Sequence, residues 1–361
     1  MKTKHLQPHQ IAEAAQLLKQ GQLVAFPTET VYGLGANALD SQAVNKIFQA
    51  KGRPSDNPLI IHIAQIEDLA QLTTDVPPLA QRLAEKFWPG PLTLVLPAAP
   101  TVPREVTAGL NTVAVRMPNH PIALELIKTA GLPVAAPSAN RSGKPSPTRA
   151  HHVSKDLENK IAAIIDGGPC SVGIESTVVD ATGPEPIILR PGGITFEMLE
   201  ATTSERLTTI APGLHGTRAN LETDETPRSP GMKYTHYAPQ APLYLLTGTW
   251  EEQVKKLEKI QERIEKSKEK IGLFISEESF RIISKKSNHR IEKGAIPVIQ
   301  RAGSRENLKD IAAGLFDALR AFDETEANLI IAETYPTHGI GLALMNRLTK
   351  AAGDRIWNED N

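Results

Sequence analysis

Four stretches of this chain set anion-binding side chains on backbone that can approach a ligand closely. Pro27-Thr28-Glu29-Thr30-Val31-Tyr32-Gly33-Leu34-Gly35 offers hydroxyls beside glycines. Lys51-Gly52-Arg53-Pro54-Ser55-Asp56-Asn57-Pro58 and Ser138-Ala139-Asn140-Arg141-Ser142-Gly143-Lys144 add cations and amides, and Arg190-Pro191-Gly192-Gly193 adds a guanidinium. Arg116 stands inside the apolar run Val113-Ala114-Val115-Arg116-Met117, where a cation without an anion is costly. Such a mixture suits a nucleoside triphosphate together with a second small anion such as a carboxylate, because guanidinium forks match both groups. Residues 138–144 lack the G-x-x-x-x-G-K-[ST] spacing of a P-loop. Gly339 and Gly341 have the start of a dinucleotide fingerprint, but Leu344 replaces its third glycine. No Ser-His-Asp order or metal-binding histidine pair emerges, and His62, in Leu59-Ile60-Ile61-His62-Ile63, reads by itself more as a hydrogen-bonded core histidine than as a ligand contact. The chemistry implied is positioning and charge neutralisation rather than covalent catalysis.

These loops need strands to hold them. Up to residue 200, short apolar runs alternate with helical patterns, and Pro or Gly marks most junctions, which predicts an α/β layer structure. A helix is expected over 10–20, with strands over 23–26, 59–63, 92–96, 112–117, 133–136, 162–165, 177–180 and 187–189. Ligands of open α/β sheets gather at the carboxyl ends of strands, so Lys51, Arg53, Arg116 and Arg190 are expected along one sheet edge. From residue 201 the periodicity disappears, and it returns near 242 as strands over 243–246, 272–275, 296–299 and 329–332 alternating with helices over 250–266, 304–322 and 340–352. This alternation predicts a small Rossmann-like parallel sheet. Between the two, Gly231-Met232-Lys233-Tyr234-Thr235-His236-Tyr237 gathers aromatic and basic residues in a chain with only 4% aromatics.

The chain has 361 residues, long enough for two domains. Its 40 Lys and Arg against 41 Asp and Glu leave a net charge of −1, so no general attraction to nucleic acid or to an acidic membrane is expected. A single cysteine, Cys170, forms no intrachain disulfide and excludes zinc sites built on two or more cysteines. With no apolar leader and no membrane-length run, the expectation is a cytoplasmic protein.

Five motifs, in order, resemble the YrdC-like threonylcarbamoyl-AMP synthases. They are Pro27-Thr28-Glu29-Thr30-Val31-Tyr32-Gly33-Leu34, Lys51-Gly52-Arg53-Pro54 with Asn57-Pro58-Leu59, Trp88-Pro89-Gly90-Pro91-Leu92-Thr93, Ala136-Pro137-Ser138-Ala139-Asn140 with Ser142-Gly143, and Ser176-Thr177-Val178-Val179-Asp180. The segment 229–239 resembles the linker of the family's long form. The resemblance implies a YrdC-like twisted mixed-sheet domain over 8–200, a linker and active-site lid over 201–241, and a Rossmann-like domain over 242–361. It further implies an enzyme that makes threonylcarbamoyl-AMP and pyrophosphate from L-threonine, bicarbonate and ATP with Mg²⁺, supplying a separate transferase complex that modifies tRNA. By position in the motifs, Thr30, His62, Arg116, Ala136 and Ser176 are expected to contact threonine. Lys51, Arg53, Asn57, Thr112, Ser138, Asn140, Ser146 and Arg190 are expected to contact ATP, and Lys233, Tyr234 and His236 to belong to the lid. With no carboxylate cluster apparent, Mg²⁺ is expected to be held mainly by phosphates and water. The rival class is a double-stranded RNA-binding module, which the charge balance disfavours. A carbamoyl transfer like that of hydrogenase-maturation proteins is set aside because their extra zinc-finger parts have no counterpart here.

Overall fold

The computed structural model describes residues 2–203, 207–209, 227, 236–267, 270–287 and 298–358. The chain forms two compact units, Met1–Ser142 with Ser146–Tyr234, and Gly143–Pro145 with Thr235–Asn361.

Among its described residues the first unit is built on one eleven-stranded sheet. The strands are β1 (Lys4–Leu6), β2 (Val24–Phe26), β3 (Gly33–Asn37), β4 (Ile60–His62), β5 (Leu92–Pro97), β6 (Thr112–Arg116), β7 (Val134–Ala135), β8 (Ala163–Ile165), β9 (Thr177–Asp180), β10 (Ile187–Arg190) and β11 (Thr208–Thr209). Their spatial order is β1-β8-β2-β3-β7-β4-β6-β5-β9-β10-β11. Pairing is mixed: β4 runs parallel to β6, whereas β7 is antiparallel to β4 and β5 antiparallel to β6. Most of these strands are apolar on both faces, as continuous runs such as Leu92-Thr93-Leu94-Val95-Leu96 require. The helices start and stop on local chemistry. Asp40 accepts hydrogen bonds from the amides of Gln42 and Ala43 to cap helix Ser41–Lys51. Pro78 and Pro121 open helices Pro78–Phe87 and Pro121–Ala130. The main core has Tyr32, Ile47, Leu59, Leu83, Leu94 and Val115 among its members.

The second unit carries a four-stranded, wholly parallel sheet of β12 (Leu243–Leu246), β13 (Ile271–Ile275), β14 (Val298–Arg301) and β15 (Leu329–Glu333), in the order β12-β15-β13-β14. Helices Trp250–Ser267, Glu277–Ser287, Leu308–Phe322 and Gly341–Ala352 complete it, so the expected Rossmann-like alternation is present. No helix among the described residues is long and apolar enough to cross a membrane.

Candidate active site

Alternate residues of a strand share one face, so Thr112, Ala114 and Arg116 line one side of β6. Their neighbours in register, Ile60 beside Ala114 and His62 beside Arg116, line the same side of β4. Ile60, Ala114, Val95, Val178 and Leu189 form an apolar cluster of their own, separate from the main core. Thr112 and Arg116 are four residues apart in an extended strand, roughly 13 Å at about 3.3 Å per residue. The site is therefore an apolar strip with polar groups at both ends. This corrects the expected single-edge arrangement. His62 and Arg116 end their strands, but Asn57 precedes β4 and Thr112 begins β6. The reason is the antiparallel β7, whose carboxyl end, carrying the Ser138–Asn140 loop, lies beside the amino end of β4.

At one end Arg116 is fully enclosed. Its Nη1 donates to Thr30 Oγ1 at 2.9 Å, its Nε donates to the Gly90 carbonyl at 3.3 Å, and its Nη2 lies 2.8 Å from Glu29 Oε2. Glu29 Oε1 in turn accepts the Asn119 amide at 3.1 Å. The anion that Arg116 demands is thus supplied within the fold. Gly90 has no room for a side chain, since a Cβ would lie 2.2 Å from the Phe87 carbonyl oxygen. His62 is buried beside Arg116, and desolvation followed by that positive charge pushes its pKa down to about 3, so the ring is neutral. Ala136 follows β7 and lies along the strip rather than at this end, its amide donating to the carbonyl of Ile60, the first residue of β4. Ser176 Oγ lies 2.7 Å from Thr93 Oγ1 and accepts from Arg190 Nη2 at 3.1 Å, while Arg190 also grips the Ser176 carbonyl. Ser146 Oγ donates to Glu175 Oε1 at 2.6 Å.

At the other end Lys51 is buried, and its Nζ donates to the carbonyls of Ser138 and Asn140 at 2.5 and 2.6 Å. Ser138 Oγ donates to Asn140 Oδ1 at 2.5 Å, so cation, hydroxyl and amide form one rigid loop. Arg53 Nη2 reaches the Asn57 carbonyl at 3.4 Å. The Asn57 side chain is fully buried, yet neither its Nδ2 nor its Oδ1 has a hydrogen-bond partner among the described residues, an arrangement that a polar ligand would relieve. Thr112 is half-buried at the start of β6. Of the residues assigned to the nucleotide, Ser146 and Arg190 thus sit with the Arg116 end, the others here. Lys233 and Tyr234 lie outside the described residues. His236 belongs to the second unit, where it tilts against Tyr237, whose ring stacks on Phe316.

Sequence reasoning missed Glu29, Thr93 and Glu175 as members of the site. A signal for Glu29 existed, because a guanidinium in an apolar strand needs a carboxylate and Glu29 stands inside the first motif. The sole cysteine, Cys170, is buried, and desolvation raises its thiol to about 12, so it is no nucleophile.

The Sua5, YciO and YrdC family model, described as telomere recombination, matches residues 16–192, and the model of the threonylcarbamoyl-AMP synthase C-terminal domain matches residues 194–353. The threonylcarbamoyl-AMP synthase of Bacillus subtilis is 51% identical over 96% of this chain and 94% of its own. That of Pyrococcus abyssi is 47% identical over 98% and 97%. The chain belongs to the threonylcarbamoyl-AMP synthase family. It is therefore an enzyme. A crystal structure of P. abyssi Sua5 complexed with L-threonine covers 99% of both chains with a TM-score of 0.85 at 45% identity, so the family's two-domain fold extends over the whole enzyme.

Proposed function

We propose that the enzyme is a nucleotidyltransferase that joins L-threonine, bicarbonate and ATP into threonylcarbamoyl-AMP and pyrophosphate. The observation that carries this reading is the apolar strip with a separately anchored polar group at each end, one suited to a small amino acid and the other to part of a nucleotide. Threonine lies at the Arg116 end, its carboxylate on the guanidinium, with Thr30, neutral His62 and Ser176 around it and Ala136 beside it along the strip. ATP lies along the strip, reaching Asn57, Thr112 and the Lys51-braced Ser138–Asn140 loop at one end and Ser146 and Arg190 at the other. Threonine's ammonium group and bicarbonate give a carbamate with loss of water and a proton. A carbamate oxygen then attacks the α-phosphorus as the bond to the bridging oxygen breaks and pyrophosphate departs. Two anions must meet, so the work of the fold is positioning and screening. Arg53 and Arg190 supply positive charge directly, and Lys51 acts through the loop it holds.

The donor set fits a Mg²⁺ ion that arrives with the nucleotide. Glu29 is engaged by Arg116 and Asn119, and Glu175 by Ser146, which is one carboxylate near the phosphates rather than an all-protein cage. Glu175 is the residue that would approach the ion, whose charge would screen the two reactants. The product would pass to a separate transferase complex that modifies tRNA. The test is pyrophosphate release with ATP alone, with added threonine, and with threonine and bicarbonate. Release that needs all three supports the reading. Release indifferent to threonine, or tight salt-sensitive tRNA binding without it, overturns it.

A further inference from the structure

We propose that Glu29 selects an amino acid over the corresponding hydroxy acid: its carboxylate receives the ammonium group of the substrate whose carboxylate lies on Arg116. The inference rests on the reading of Arg116 given above and extends it to a residue outside the motif positions assigned to threonine.

The first support is unspent bonding capacity. The side chains of Glu29 and Arg116 are 7% and 4% exposed. Beyond their mutual approach of 2.8 Å, neither Glu29 Oε2 nor Arg116 Nη2 has a hydrogen-bond partner among the described residues. An ionised carboxylate has about four acceptor sites and a guanidinium five N–H groups, so both keep capacity in a place where water is scarce. Burying a charged pair without satisfying it is expensive, and a ligand that completes it recovers part of that cost.

The second support is geometric. An α-amino acid carries its ammonium and carboxylate on one carbon. A zwitterion with its carboxylate on Arg116 therefore brings its ammonium to the carboxylate next to Arg116, which is Glu29. The hydrogen-bond chain beside them is directed the same way. Arg116 Nη1 can only donate to Thr30 Oγ1, and Thr28 Oγ1 donates to the Val31 carbonyl at 2.6 Å. The Thr30 hydroxyl proton must then go to Thr28 Oγ1, 2.8 Å away, and Thr30 offers a ligand only a lone pair. Glu29 and Thr30 thus present acceptors beside the donors of Arg116. That pattern favours an ammonium group over an uncharged hydroxyl on the same carbon.

The test is calorimetric binding to the full chain without ATP, using L-threonine, 2,3-dihydroxybutyrate, which lacks the ammonium, and L-threoninamide, which lacks the carboxylate. Wild type should bind threonine roughly 10- to 100-fold more tightly than dihydroxybutyrate, the value of a charged hydrogen bond. Glu29→Gln should lose that factor for threonine and leave dihydroxybutyrate unchanged. If Glu29→Gln weakens both ligands equally, the residue merely orients Arg116 and the proposal is wrong. Threoninamide binding as tightly as threonine would instead remove Arg116 from the carboxylate, a failure of the underlying reading. Should Glu29→Gln not fold, the wild-type ranking decides: dihydroxybutyrate equal to threonine overturns the proposal.

Discussion

Replacing Arg116 by methionine keeps most of the side-chain volume and removes the charge, which isolates the electrostatic content of the pair. Glu29 is then left buried with the Asn119 backbone amide as the one donor to its side chain among the described residues. Breaking a buried ion pair from one side costs about 3–5 kcal/mol, because the remaining charge is uncompensated. In a unit of about 200 residues each kcal/mol lowers the melting temperature by about 2–4 °C, so the transition of the first unit should fall by roughly 6–20 °C. The double variant Arg116→Met with Glu29→Gln should recover part of the loss, since the amide keeps the shape and the acceptor for Asn119 but no charge. The cycle should show a coupling of roughly 2 kcal/mol or more. Calorimetric or circular-dichroism melting of the full chain measures all four corners. A double variant as unstable as the sum of the two singles would refute the reasoning, because it would mean that each side chain contributes by packing alone.

Other expectations follow from the same geometry. Asn57→Ala removes an orphaned buried amide, so it should weaken ATP binding about tenfold or more, leave threonine binding unchanged, and cost little stability; a large stability loss with normal ATP affinity would contradict it. Ala114→Leu fills the middle of the strip and should abolish ATP binding while the melting temperature stays near wild type, as a nucleotide-displacement assay and a melt would show together. Gly90→Ala forces its backbone away from the Phe87 carbonyl and should raise the threonine KM more than the ATP KM. For His62 the sign is set by a folded pKa of about 3, below the unfolded value near 6.5. The unfolded chain binds the extra proton between these limits, so this residue makes stability rise with pH up to about 6.5 and adds nothing above. Denaturation midpoints at pH 5 and 7.5 should differ less in His62→Gln than in wild type.

Runs such as 92–96, 112–117 and 177–180 were legible because strands buried on both faces read as continuous apolar segments bounded by turn residues. The parallel sheet of the second unit was legible through regular alternation. Three strands escaped for local reasons: Lys4–Leu6 and Thr208–Thr209 are too short for any periodicity, and Gly33–Asn37 is so rich in small residues that it reads as a ligand loop. The helix Glu277–Ser287 also went unread. The site residues themselves were legible as types, since cations and hydroxyls on glycine-framed loops have few structural uses.

What could not be read is direction and pairing. The expectation of one sheet edge borrowed the carboxyl-end rule from parallel sheets, and that rule fails wherever a strand runs the other way. With β7 reversed against β4, the Ser138–Asn140 loop is delivered to the amino end of β4 and the Arg116 cluster remains at the other end. A sheet pairing that no local pattern encodes therefore sets two loop clusters at opposite ends of one apolar strip. The same non-locality hides Glu29, whose partner is 87 residues away in sequence and 2.8 Å away in space. A buried guanidinium announces that a carboxylate must exist, but only the fold says which one, and the unspent acceptor capacity on that carboxylate is what turns a structural ion pair into a candidate for substrate recognition.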